Sequence, residues 1–303
     1  MKLSIVIPVY NGAKTISKLV EEIKRNIQET SFEIVMVHDC GKDNSWEVIK
    51  KIKEENKDIL KAVKLSRNFG QHNAILCGIK HSTGDFIITM DEDLQHDPKF
   101  IKNLIQKQKE GNYDLVYAKF QRKKHNTFRN ITSDVLNYML RLGMPDLNPN
   151  YTSFRLIRSN IAKQMLSMNN SYTFLDGYLS WITNNIGFIE IEHRKREKEK
   201  SSYTLKKLIF HALNIFFTFS LLPIRIVTFS SIMIFILTLI YSIYLVIRKL
   251  VFNDLIPGYT SIMLILGFGI GLILFALGII GEYIHRINQK TTKRPDFFEK
   301  EIL

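Results

Sequence analysis

The sequence predicts an α/β domain with a mostly parallel sheet, followed by an interfacial amphipathic helix and two transmembrane helices. Two observations carry this. Over residues 1–204 short β-branched runs alternate with segments whose apolar residues recur at helical spacing. Near residue 205 the composition changes, and beyond Pro223 two long stretches carry almost no charge.

The elements follow in order. Residues 3–9 form an apolar, β-branched run that ends at the turn signal Tyr10-Asn11-Gly12. It is too short for a secretory signal and reads as a buried first strand. Residues 15–28 then show a helical stripe through Ile16, Leu19, Val20, Ile23 and Ile27. The unit recurs as strand 33–37 with helix 44–56, strand 62–65 with helix 71–81, and strand 86–90 with helix 98–109. Further on, 115–118, 154–157 and 188–192 read as strands, and 127–142 and 176–185 as helices. Residues 194–204 (RKREKEKSSYT) lack apolar periodicity and read as a mobile basic loop over the site.

Residues 205–222 set Lys206, Lys207 and His211 against Leu208, Ile209, Leu213, Phe216 and Phe217, as expected of a helix lying in the membrane interface. Two spans follow, at about 226–247 and 259–280. Each matches the ~20 apolar residues needed to cross a ~30 Å hydrocarbon layer. The loop between them holds two basic residues, with more on the outer flanks, so the positive-inside rule places both termini in the cytoplasm. The expected organisation is a cytoplasmic domain 1–204, an interfacial helix 205–225, a two-span membrane domain 226–281 and a cytoplasmic tail 282–303. Gly267, Gly269, Gly271, Ala276 and Gly278 would let helices approach closely, within the chain or in a homo-oligomer.

The chain holds 42 Lys and Arg against 29 Asp and Glu, a formal net charge of +13 over 303 residues. Such a surplus calls for an anionic partner. The basic clusters border the hydrophobic region, which fits lipid headgroups and phosphorylated substrates; nucleic acid would explain neither the spans nor the carboxylates described next. Cys40 and Cys77 lack metal-site spacing and read as reduced thiols.

In open α/β sheets ligands gather at the carboxyl ends of strands, here residues 10–12, 38–41, 66–68 and 91–95. Charged groups follow buried strands at these tips: Asp39, Arg67, Asp91 and Asp93. Asp91 and Asp93, spaced i and i+2, enter a turn together. A hard divalent cation, Mg2+ or Mn2+, takes oxygen ligands at about 2.0–2.2 Å and keeps positions open for substrate phosphates. Asp93 and the amide oxygen of Gln95, with Asp91 directly or through water, could supply them. Asp39 could accept a hydrogen bond from a base N–H, while Asp43 and Asn44 are better placed to cap the following helix.

Together the segments IVIPVYNG, VHDCGKDNSW, LSRNFGQHNAI, GDFIITMDEDLQHDP and KEKSSY, in that order, resemble the motifs of family 2 glycosyltransferases that make polyprenyl-phosphate sugars. The chain resembles bacterial undecaprenyl-phosphate glucosyl- and aminoarabinosyl-transferases, and more distantly dolichyl-phosphate mannose synthase. The resemblance implies a GT-A type nucleotide-sugar-binding domain. It implies that Pro8, Tyr10, Asp39, Arg67, Asp91 and Glu92 bind the nucleotide, UDP by preference, and that Asp91, Asp93 and Gln95 hold the metal. Arg129 and Ser133, one helical turn apart, would grip the lipid phosphate with Lys119 and Arg122 nearby. Asp91, Asp93 and Arg129 would carry catalysis, under a loop containing Arg196, Lys200, Ser201 and Tyr203. The chain departs from the family at Gly12 (often Glu), His38 (Asp or Asn), Lys42 (Ser or Pro), Lys119 (often Arg), Ser153 (an Asp in some relatives, proposed as base) and Glu199 (Gly). No residue is assigned as general base, and none is required. A phosphate monoester has a second pKa near ~6 and is largely anionic at neutral pH.

The expected reaction is inverting transfer of one sugar from a nucleoside-diphosphate sugar to polyprenyl phosphate, for cell-envelope glycan modification. A processive polysaccharide synthase is disfavoured by the lack of a Gln-x-x-Arg-Trp motif and by too few spans. A non-catalytic membrane scaffold is the reading from another class.

Overall fold

In the computed structural model the β-branched runs pair into one eight-stranded sheet of order β7-β5-β6-β4-β1-β2-β3-β8. The structure describes residues 1–28, 30–120, 147, 148, 150–168, 172–192, 258–291 and 295–303, with scattered positions between 214 and 251. Strands β1 (Lys2–Val9), β2 (Ser31–His38), β3 (Leu60–Leu65) and β4 (Phe86–Thr89) are mutually parallel, and helices α1 (Ile16–Asn26), α2 (Ser45–Glu55) and α3 (Gln71–His81) connect them. Helix α4 (Ile101–Gly111) follows a short 3-10 turn whose Asp97 caps Lys99 N at 3.0 Å.

Strand alternation divides the apolar residues between two layers. Leu3, Ile5 and Ile7 of β1 pack with α1, α2 and α4, whereas Val6, Val35, Val37 and Ile87 pack with α3 and the helix Leu175–Ile182. Burying each such side chain contributes roughly 1.5–3 kcal/mol. Where chain approaches chain, no side chain fits: a Cβ on Gly78 of α3 would come within 2.3 Å of Val6 Cγ1.

The expected alternation holds as far as α4 and then changes. Strand β5 (Leu115–Phe120) does not join β4. Strand β6 (Arg155–Arg158) lies between them and is antiparallel to both, and β7 (Ile186–Ile191) pairs parallel to β5. A buried cluster fixes this half. Arg155 Nη1 and Tyr117 Oη both donate to Asp176 Oδ1, the latter at 2.8 Å. The helix expected over 176–185 is Leu175–Ile182, since Thr183 Oγ1 accepts from Asn185 N and closes a turn.

The final third shows two features that the sequence did not signal. The second apolar span belongs to a helix that runs on to Thr291, Tyr259–Thr291. Among the described residues it alone is long and apolar enough to cross a membrane, through Gly269–Asn288. The stretch expected as a tail forms strand β8 (Glu299–Ile302), antiparallel on the free edge of β3. It was hidden because EKEI has three charges in four residues, so its edge pairing leaves no apolar run. The described residues from 226 to 251 are helical, while most of residues 205–225 lie outside the described residues. Arg286 ties the long helix to positions 214 and 218: it donates to Glu282 at 2.7 Å, Thr218 Oγ1 at 2.7 Å and Asn214 Oδ1 at 3.3 Å.

Candidate active site

The parallel pairing of β1 with β2 sets Val9 opposite His38, and the ladder continues as Asp39 N donates to Val9 O at 2.9 Å. The two tips are then laced together. Lys42 N donates to Asn11 Oδ1 at 2.7 Å, Ala13 N to Asp43 Oδ2 at 3.0 Å and Gly12 N to Ser45 Oγ at 2.9 Å. Asp43 Oδ1 accepts from Ser45 N, so Asp43 holds the start of α2, as its position predicts, and Asp39 is released from capping.

Asp39 turns to the loop before α3. Its carboxylate accepts from Phe69 N at 2.7 Å and Gly70 N at 2.9 Å, with Gly70 at φ +89°, a conformation that favours glycine. Only 3% of Asp39 is exposed. Burial pushes its pKa up to about 6, and the two amides offset part of the rise. On the other side of the strand His38 lies against Trp46, with ring centroids 5.8 Å apart, and neither of its ring nitrogens has a partner among the described residues. Burial, aided by Lys64, lowers its pKa and keeps the ring neutral.

Beyond β4, Asp91 is held from three directions. Gln71 Nε2, at the first residue of α3, donates to Oδ1 at 2.6 Å, and Ser153 Oγ, just before β6, donates to Oδ2 at 2.9 Å. Its own N–H donates to His96 Nδ1 at 3.0 Å, and the His96 ring is stacked on Phe154. Asp93 Oδ1 accepts from Gln95 N at 3.1 Å, closing the turn that brings Asp91, Asp93 and Gln95 to one half-buried tip, with Leu94 at φ 63°. Both Asp91 oxygens bond neutral donors and retain lone pairs. This all-oxygen donor set is of the kind that could hold a hard cation such as Mg2+ or Mn2+.

The remaining expected residues distribute as follows. Pro8 is buried in β1, Tyr10 is 41% exposed at its tip, and exposed Arg67 lies over the Phe69 ring, 4.7 Å from its centroid. Glu92 covers Gly12, where a Cβ would sit 2.7 Å from Glu92 Cγ. Lys119 is in β5 opposite Glu190. Arg122, Arg129, Ser133, Arg196, Lys200, Ser201 and Tyr203 lie outside the described residues. Sequence reasoning passed over Gln71 and His96 although both lie inside quoted motifs, because nothing local signals which carboxylate a polar residue will meet. It named Ser153 for what it replaces, whereas the structure makes it a donor to Asp91.

A second group of ligand-type side chains, Cys77, His81 and Glu299, has its polar atoms within 4.8 Å of one another. It sits toward the far end of α3 from Gln71, about 15 Å along a helix of this length. There Lys80 Nζ, 2.9 Å from Glu299 Oε1, already supplies a cation. The cluster is an ion-pair network and separate from the Asp91 tip.

With the tips in place, comparison with known proteins becomes informative. The Glycosyl transferase family 2 profile matches residues 4–166, more than half of the chain. An uncharacterized glycosyltransferase of Synechocystis sp. is 30% identical across 100% of this chain and 96% of its own length. The undecaprenyl-phosphate 4-deoxy-4-formamido-L-arabinose transferase of Proteus mirabilis is 29% identical across 100% of this chain and 94% of its own. Among solved structures, glucosyl-3-phosphoglycerate synthase from Mycobacterium tuberculosis, in complex with Mn2+, UDP-glucose and phosphoglyceric acid, superposes with a TM-score of 0.54 at 14% identity, covering 72% of this chain and 78% of that one. At that identity the likeness concerns the fold, which is GT-A-like. The sheet order, the paired carboxylates beyond β4 and the full-length relatives agree: this chain belongs to glycosyltransferase family 2.

Proposed function

We propose that the chain transfers one sugar from a nucleoside-diphosphate sugar, UDP by preference, to polyprenyl phosphate at the cytoplasmic face of the bacterial inner membrane. The observation that carries this reading is that Asp39 and the pair Asp91 and Asp93 lie beyond the two strands, β2 and β4, that flank β1, both tied to the Phe69–Gln71 turn, in a chain aligned end to end with named undecaprenyl-phosphate sugar transferases. Family membership alone gives glycosyl transfer. The names of those relatives, the apolar Gly269–Asn288 helix and the basic flanks support the lipid acceptor.

The residues divide the task. Asp39, through the lone pairs its amide partners leave, meets a base N–H while Tyr10 and Pro8 border the nucleoside and Arg67 and Glu92 flank it. Asp93 and Gln95 hold one divalent cation, with Asp91 oriented toward it by Gln71 and Ser153. When bound, the cation takes up negative charge on the departing diphosphate. Arg129 and Ser133, with Lys119 and Arg122, orient the acceptor. An oxygen of the lipid phosphate forms the new bond to the anomeric carbon as the bond to the diphosphate breaks, the electron pair leaving with UDP and the anomeric centre inverting. The acceptor is largely ionised at neutral pH, so no side chain has to remove a proton. Positioning and charge relief account for the rate. The basic loop through Arg196, Lys200, Ser201 and Tyr203 covers the donor, and the small-residue face of the long helix favours self-association.

The test uses the full chain in lipid nanodiscs with Mn2+, undecaprenyl phosphate and a panel of nucleotide sugars. One donor is expected to yield free nucleotide and a lipid-linked sugar in equal amounts. Failure to release nucleotide from any donor overturns the proposal and favours a non-catalytic scaffold.

A further inference from the structure

Strand β8 does more than cover the edge of β3. Ala62 and Leu303 exchange backbone hydrogen bonds of 3.1 and 2.8 Å, and Ser66 N donates to Phe298 O at 2.8 Å, where β3 ends and the donor-side loop begins. From there the side chains of the segment reach both ends of a single unit. At the near end the Phe298 ring lies 6.1 Å from that of Phe69. At the far end Glu299 Oε1 accepts from Lys80 Nζ at 2.9 Å, lies 2.9 Å from His81 Nε2 and is 3.8 Å from Cys77 Sγ. Trp46 Nε1 also donates to Glu301 Oε2 at 3.2 Å.

That bracketed unit, the turn Ser66–Gly70 with α3, is the one that grips the donor-side acids. Phe69 N and Gly70 N hold Asp39, and Gln71 Nε2 holds Asp91. A shift of the turn by a fraction of a hydrogen-bond length would release both carboxylates together. The strand that could hold it still is short, and its side chains alternate between half-buried and exposed, with Phe298 49% exposed. Such an edge strand opens locally at low cost. It also lies a few residues beyond Thr291, the end of the long apolar helix.

We propose that β8 is a positioning strand for the donor site. Docked on β3, it sets the Phe69–Gln71 turn, and through it Asp39 and Asp91, and so joins nucleotide binding to the long helix. Phe298 and Glu299 are the positioning residues. This inference rests on the donor-site reading above, and the two fail differently.

The experiment measures Kd for UDP with Mn2+ on the full chain in nanodiscs, and alkylation of Cys77 followed by peptide mass spectrometry, which separates it from Cys40. Cys77 is fully buried beside Glu299, so its alkylation reports release of the strand. Phe298→Ala and Glu299→Ala are expected to raise Kd for UDP about tenfold, and Phe298→Tyr to restore most of it. Coupling between two events is reciprocal, so saturating UDP should slow Cys77 alkylation in the wild-type chain by a similar factor of about ten. That second arm needs no variant and stands even if a substitution impairs folding. Alkylation unchanged by UDP, with Kd held within about twofold in the variants, overturns the proposal and leaves β8 as edge cover only. A wild-type chain that binds no UDP overturns the donor-site reading and this inference with it.

Discussion

Strand β2 carries a buried carboxylate at each end, and the fold treats them in opposite ways. Near the amino end Glu33 accepts from Ser4 Oγ at 2.6 Å and from Thr83 N at 2.6 Å, with Lys61 Nζ at 2.9 Å. Burial pushes its pKa up, but these partners outweigh burial and hold it at about 2. Beyond the carboxyl end Asp39 is buried as deeply and has two backbone amides and, among the described residues, no ion pair, and its pKa rises to about 6. Paired charge at one edge of the sheet holds the fold together. At the other end of the strand a buried carboxylate has less compensation, as the proposed contact with a base N–H would require.

The largest break in this comparison comes from Asp93→Ala. It removes a proposed metal ligand and is expected to lower turnover by about a thousandfold, with the unfolding midpoint within about 2 °C of wild type. Sugar transfer and a thermal melt measured side by side check it, and near-normal turnover would remove Asp93 from the metal site. Glu33→Gln should do the reverse. Loss of the buried charge network costs about 2 kcal/mol, roughly 4–8 °C for a domain of this size, while turnover per folded molecule stays close to wild type.

The two acids also predict opposite pH slopes. Glu33 has a depressed pKa, so its contribution to stability is present above 4.5 and is lost as pH falls through about 2. Asp39 has a raised pKa, so its contribution is complete below 3.8 and is lost as pH rises through about 6. Asp39→Asn should therefore flatten the stability profile between these values and weaken UDP binding about tenfold. An unchanged profile would mean that Asp39 is not the group titrating there. The smallest effect is expected from Ser153→Ala, which removes one tether of Asp91 and leaves Gln71. A rise of about threefold in the Mn2+ concentration for half-maximal activity, with little change in the maximal rate, would identify Ser153 as a positioning group.

Much of the fold was legible in the sequence, because alternation of apolar residues in β1 to β4 and helical spacing in α1 to α4 report which face each element buries. Pairing is another matter. Nothing in 154–157 distinguishes a strand antiparallel between β4 and β5 from one that extends the parallel run, and β8 has too few apolar residues to register at all. At the site, Asp39, Asp91 and Asp93 stood out because charges directly after buried strands have no core explanation. Their partners did not. Gln71 meets Asp91 only because α3 begins where the β3 loop brings it, and the amides that hold Asp39 belong to a backbone turn, which side-chain identity does not encode.

Gly12 and Glu92 extend this lesson to the way such sites change. Glu92 fills the space that any side chain at position 12 would enter. The acid in this space is supplied from beyond β4, the strand paired with β1, and not from the end of β1 itself. Gly12→Glu alone would crowd two acids into one volume, and it becomes tolerable once Glu92 is shortened. The two positions are best exchanged as a pair, and homologues should be compared by the location of the charge in space and not by the column in which it falls.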